Sequence, residues 1–182
     1  ALAWLQAPPA RPFFAWVHVF DPHAPYQPPE PFATRFRDAL YDGEVAYADS
    51  QVGRLLEWRD RSGEASRTLV VVTSDHGEGL GEHGEDEHQL FVYDSTLRVP
   101  LVLAWPGRLP AGRRVVGQFR SVDILPTLLD LLGLPATPTS GANRAPALLA
   151  GERIPENESY AESLFGQLYI RGMIVASNTG TF

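Results

Sequence analysis

The sequence predicts an α/β fold, with a mostly parallel sheet flanked by helices. Three observations predict it. Leu69-Val-Val-Val72 is an unbroken apolar, β-branched run of the kind found in strands buried on both faces. Phe13 to Phe20 and Arg98 to Trp105 are two further apolar runs that end in polar turns. Between the first and second of these runs in chain order lies a stretch with helical spacing, as in a strand–helix–strand crossover.

Taken in order, Ala1 to Gln6 reads as the last turns of a helix stopped by Pro8 and Pro9, so the chain is expected to begin in mid-fold. Phe13 to Phe20 is the expected first strand, with His18 inside it as a hydrogen-bonded core histidine. Asp21-Pro-His-Ala-Pro-Tyr26 follows, a loop that its two prolines hold stiff, and His23 lies past the strand end where function concentrates. Asp42 to Arg61 is the clearest helix. Asp42 can cap it, Glu44 lies in its first turn and Gly63 can stop it. Val45, Ala48, Val52, Leu55 and Leu56 give it one apolar face.

Leu90 to Tyr93 reads as short irregular or helical chain, and Arg98 to Trp105 as the third strand, with Pro100 near its start. Val115 to Gln118 is a candidate edge strand. Ser121 to Leu132 is a helix with Leu125, Leu128, Leu129 and Leu132 toward a core, stopped by Gly133. Ala136 to Pro146 is rich in Thr, Pro, Ser and Gly and is expected to be an exposed loop. Ser159 to Phe182 is ambiguous, and Asn178 to Phe182 carries no interpretable stop signal.

A chain of 182 residues, 44% of them hydrophobic, suits one domain with a sizeable core. The net charge of −7 argues against nucleic acid or anionic membrane as a partner. A small anionic substrate stays compatible if metal and cationic side chains reverse the local sign. With no cysteine, disulfides, thiolate zinc sites and Cys nucleophiles within this sequence are excluded. No apolar stretch reaches membrane-spanning length.

The chemistry concentrates in Thr68 to Gln89, T-L-V-V-V-T-S-D-H-G-E-G-L-G-E-H-G-E-D-E-H-Q. Asp75 to His88 holds three histidines and six acids, with no Lys or Arg. A solvated acidic turn is the plain alternative. Against it stands position: Asp75 and His76 are adjacent at the carboxyl end of a buried strand, where α/β sheets bind ligands. Gly77 lets the backbone turn so that both can face one point. A carboxylate beside an imidazole is divalent-cation chemistry, so Asp75 and His76 are candidate metal ligands.

Four stretches in unbroken order, P-F-F-A-W-V-H-V-F-D-P-H-A-P-Y from Pro12, S-D-H-G-E-G-L-G-E-H-G-E, Y-D-S-T-L-R-V-P-L at 93–101 and D-I-L-P-T-L-L-D-L-L-G at 123–133, resemble the sulfatase family of the alkaline-phosphatase superfamily. The resemblance implies part of an alkaline-phosphatase-like α/β sandwich. It makes 1–182 one partial catalytic domain, with a motif-bearing core at about 12–134 and a loop-rich segment at 135–182. It implies that Asp75 and His76 are the second pair of ligands to one divalent cation, calcium first among Ca²⁺, Mg²⁺, Mn²⁺ and Zn²⁺. His23 matches the histidine that contacts the ester's anionic oxygens or leaving group. His88 falls where many members place an anion-gripping lysine; its alternative is a hydrogen bond within its own loop. An exported, periplasmic or secreted setting is the family habit.

The family's nucleophile, a formylglycine made from Cys or Ser in a C/S-x-P-x-R motif, has no counterpart here. The string of similar shape, Ala104-Trp-Pro-Gly-Arg108, offers alanine, which has no heteroatom to activate. Two further acidic metal ligands are likewise expected upstream. The resemblance therefore implies the C-terminal part of a metal-dependent sulfuric-ester hydrolase acting on a small anionic sulfate ester. The alternatives are a phosphoesterase or phosphotransferase of the same superfamily, or a non-catalytic metal-binding piece.

Overall fold

The computed structural model describes residues 1–7, 12–88, 91–155, 157–165 and 170–176. The expected stops at Pro8 and Pro9, the residues Gln89 and Leu90, and the segment Asn178 to Phe182 lie outside them. The chain forms two compact units, Ala1–Thr68 and Leu69–Phe182.

In the first unit, α1 (Leu2–Leu5) and α2 (Phe32–Arg35) are single turns, and α3 (Leu40–Arg61) is the long element. Helix α3 starts two residues before the expected Asp42, which sits in its first turn without capping it. Arg59 and Arg61 in its last turn oppose the negative end of the helix dipole. Gly63, at φ 76°, takes the left-handed conformation that ends it. Its buried end is the N-terminal one: Gly43 and Glu44 are buried, whereas Val45 of the expected apolar face is exposed.

Phe13 to Phe20 corrects the sequence reading. It carries no strand pairing, and Phe14 and Trp16 are 80% and 79% exposed. His18 is exposed too, not a core histidine. A strand needs a neighbour to take its amide hydrogen bonds, and among the described residues none lies beside this run.

In the second unit, β1 (Val70–Thr73) pairs with β2 (Leu101–Ala104), Val70 opposite Ala104 and Thr73 opposite Leu101. The pairing is antiparallel, a correction to the expected parallel sheet. The reason lies in the connection. A parallel pair needs a crossover back to the strand's starting end. Here the chain leaves at Thr73 and returns at Leu101 on the same rung, with, among the described residues, only the one-turn helix α4 (Asp94–Leu97) between them. The acidic loop is thus pinned at both ends to one end of the ladder.

A 3-10 turn at Ser121–Asp123 leads into α5 (Ile124–Leu131), followed by α6 (Ala145–Ala150). Leu125 and Leu132 are exposed, against expectation, while Thr127 and Asp123 are fully buried. Helix α6 begins inside the expected Ala136–Pro146 loop, with Pro146 in its first turn, where a missing N–H costs nothing. Val115 to Gln118 forms no strand; the Ile154 N–H donates to Val116 O at 2.9 Å. Within the ambiguous C-terminal stretch, β3 (Ser159–Phe165) pairs antiparallel with β4 (Ile170–Ala176). No helix among the described residues is long and apolar enough to cross a membrane.

Candidate active site

The loop after β1 is closed by its own backbone. The Gly77 N–H donates to Thr96 O at 2.8 Å, joining the loop to α4. Gly77 is not in the left-handed region; its contribution is close approach. A Cβ placed on it would stand 2.0 Å from the Ser95 carbonyl oxygen. The reversal is made further on by Gly81 and Gly84, at φ 96° and 77°. That fold-back brings the first and last histidines of the loop together. The rings of His76 and His88 stack with centroids 3.7 Å apart and planes 25° apart. His83 goes elsewhere and stacks on Tyr93.

Asp75 projects outward, its side chain 81% exposed. Desolvation pushes its carboxyl upward, but its own backbone N–H, the His76 ring, the His76 N–H and the Ser74 hydroxyl together hold it below the usual carboxylate range. The His76 N–H donates to Asp75 Oδ1 at 3.1 Å, and the Ser74 hydroxyl donates to His76 O at 2.6 Å. The His76 ring is oriented by its Nδ1–H, which donates to Gly77 O at 2.7 Å. In neutral imidazole this places the lone pair on Nε2, which stands 3.9 Å from Asp75 Oδ1.

This donor pair fits a cation. Metal–ligand bonds to imidazole nitrogen and carboxylate oxygen run about 2.0–2.6 Å. One ion can therefore touch both Nε2 and Oδ1 across 3.9 Å. Anchoring the other ring nitrogen on a backbone carbonyl is how ligating histidines are usually held. Among the described residues, no group of three or more His, Asp or Glu side chains gathers around one point that could hold a metal.

His88 donates from Nδ1 to Glu78 Oε1 at 2.9 Å, and the Glu78 side chain is 5% exposed. It thus makes a hydrogen bond within its own loop and also stands against His76. In the same loop, both carboxylate oxygens of Glu85 are buried and accept no hydrogen bond among the described residues.

His23 belongs to the first unit. Its Nδ1–H donates to Ala24 O at 2.7 Å and its ring stacks on Phe20 at 4.6 Å. Its backbone N–H donates to the buried carboxylate of Glu44 at 3.0 Å, and the Gln27 N–H donates to the same carboxylate at 2.5 Å. In the sequence, Glu44 shows only as a first-turn acid. The signal was its spacing: Glu44, Ala48, Val52 and Leu55 share one face, so an acid sits in line with an apolar stripe. Asp123 was missed in the same way. It is fully buried and accepts from Arg120, Arg144 and the Ala142 N–H.

A family model described as Sulfatase matches residues 1–134. The chain belongs to the sulfatase family. That places it in the alkaline-phosphatase superfamily. Iduronate 2-sulfatase of Mus musculus is 35% identical over 147 residues, covering 67% of this chain and 26% of that protein. A solved structure described as a complex with its substrate D-glucosamine-2-N,6-O-disulfate matches with a TM-score of 0.62 at 29% identity, over 74% of this chain and 28% of that one. The phosphonate monoester hydrolase of Agrobacterium radiobacter matches with a TM-score of 0.63 at 32% identity, over 72% of this chain and 27% of that one. The chain spans 19% to 26% of the length of the first curated relatives that it matches.

Proposed function

We propose that this chain carries part of the active site of a metal-dependent sulfuric-ester hydrolase. The observation that carries the reading is the Asp75–His76 pair, its donor atoms 3.9 Å apart on a loop pinned to one ladder rung, in a member of the sulfatase family. Asp75 and His76 would hold a divalent cation, with calcium the first candidate. When bound, such an ion polarises an ester oxygen and offsets negative charge as the bond to sulfur changes.

The chain's own residues do the remaining work of binding and orientation. Ser74 and Gly77 fix His76 so that Nε2 presents its lone pair, and the Asp75 donors keep the carboxylate ionised. His88, tethered by Glu78, would contact an anion through Nε2, and His23, tethered by Ala24, is a separate candidate for such a contact. To donate there, each must be the imidazolium, since Nδ1–H is already committed in both. This sequence offers no residue for a formylglycine nucleophile, and the substrate proposed is a small sulfate ester.

A second reading, phosphonate or phosphate ester hydrolysis, is favoured by the 32% identity to the phosphonate monoester hydrolase. The two are separated by measuring kcat/KM of the full-length protein on p-nitrophenyl sulfate and on p-nitrophenyl phenylphosphonate. The sulfate ester is expected to be the better substrate by at least tenfold. The reverse order would replace the first reading by the second.

A further inference from the structure

We infer that Glu44 is a positioning residue, a buried carboxylate that sets the place of His23 by gripping its backbone amide and that of Gln27. The inference rests on the sulfatase reading for the task of His23, and on the structure for the grip.

The loop from Asp21 to Gln27 contains two prolines and forms no helix or strand, so its remaining amides need partners of another kind. Glu44, 3% exposed on the second turn of α3, receives two of them. Its Oε2 accepts from the His23 N–H at 3.0 Å and its Oε1 from the Gln27 N–H at 2.5 Å. Each oxygen thus holds one end of the segment that carries the imidazole. A buried carboxylate with strong donors on both oxygens is costly to disturb, because losing either oxygen as an acceptor leaves an amide unmet. The surroundings keep the grip rigid. Tyr26 meets Tyr41 edge-on at 5.4 Å. Gly43 lies so close to Pro28 that a Cβ on it would stand 2.8 Å from the proline ring. A surface helix needs no acid in that place for solubility. The acid turned inward here meets the backbone of a candidate catalytic loop.

With His23 fixed at Nδ1 by Ala24 and at its backbone by Glu44, a small shift of the carboxylate becomes a shift of Nε2. Misplacement of about 1 Å at a reacting centre costs up to roughly a hundredfold in rate. The test uses the full-length protein with Glu44→Gln, His23→Ala and the double variant. Two readouts are taken: amide hydrogen exchange at His23 and Gln27, and kcat and KM on p-nitrophenyl sulfate.

Gln keeps one acceptor and loses the other. Exchange at one or both amides should therefore quicken about tenfold or more, and kcat should fall roughly ten- to a hundredfold with KM changed less than about twofold. In the His23→Ala background the Glu44→Gln loss should vanish, since there is no imidazole left to misplace. Unchanged exchange at both amides overturns the grip. A kcat loss of the same size with and without His23 overturns the positioning role and leaves Glu44 a packing residue. If Glu44→Gln does not fold, Glu44→Asp, which keeps the charge on a shorter arm, is read by the same measures. A wild type that turns over no sulfate ester removes the sulfatase reading, while the exchange data still decide the grip.

Discussion

Asp123→Asn is expected to destabilise the protein strongly although it changes no side-chain volume. Asp123 is fully buried, and its Oδ1 accepts from Arg120 Nη2 and the Ala142 N–H, each at 2.8 Å. Its Oδ2 accepts from Arg144 Nε at 3.1 Å and Arg120 Nε at 3.3 Å. Asn leaves one acceptor and turns an N–H₂ toward a guanidinium. Arg144, 7% exposed, then becomes a buried cation without its counter-charge. Breaking a buried pair by removing one partner costs about 3–5 kcal/mol. Adding Arg144→Met removes the stranded cation and should recover roughly 1–2 kcal/mol of that loss. The sign with pH follows from the same contacts. Burial pushes the Asp123 carboxyl upward, but Arg120, the Ala142 N–H and Arg144 hold it below its usual range. A depressed folded value contributes stability that is present above the unfolded value of about 3.9 and is lost as pH falls through the folded value. The gap between wild type and Asp123→Asn should therefore narrow below about pH 4. Urea unfolding at several pH values measures all three effects. A loss under about 1 kcal/mol at pH 7, or no recovery in the double variant, would refute the reasoning.

Gly77→Ala should destabilise by about 1–3 kcal/mol, the usual cost of overpacking, because its Cβ would meet the Ser95 carbonyl at 2.0 Å. Calcium affinity should fall with it, and a thermal melt together with a calorimetric titration checks both. The 182-residue chain expressed alone should release no sulfate from an aryl sulfate, since it carries no formylglycine precursor. It should also self-associate through the exposed Phe14, Trp16 and Phe20, which sedimentation velocity would reveal.

Local features were the legible ones. The long helix showed through its apolar spacing and through Gly63, whose left-handed φ ends it within two residues of the predicted stop. The β1 and β2 runs showed through composition, but composition carries no pairing direction. That was set by the loop from Ser74 to Pro100, which returns the chain to the end it left. Phe13 to Phe20 has strand composition without strand structure, because pairing depends on neighbours that a local pattern does not contain. Helix α6 was hidden by Pro146, read as a loop residue although the first turn of a helix accepts it. In the candidate site, the adjacency of Asp75 and His76 at a strand end was legible, whereas the stacking of His88 on His76 was not, because it depends on the turns at Gly81 and Gly84. Glu44, Glu78 and Asp123 were not, because a buried acid looks like a surface acid until its partners, 3 to 21 residues away, are known.

On the function proposed above, cleavage of sulfate esters by the complete protein depends on a cation held by Asp75 and His76. Its most direct test is the release of inorganic sulfate from p-nitrophenyl sulfate by the full-length protein, with and without a chelator, in wild type, Asp75→Ala and His76→Ala. Calcium binding by calorimetry is run alongside. Wild type should release sulfate, lose that activity to the chelator and regain it with calcium. Each variant should bind calcium at least about tenfold more weakly and lose at least about a hundredfold in kcat/KM. Sulfate release that persists in the chelator, or variants with wild-type calcium affinity and turnover, would contradict the account.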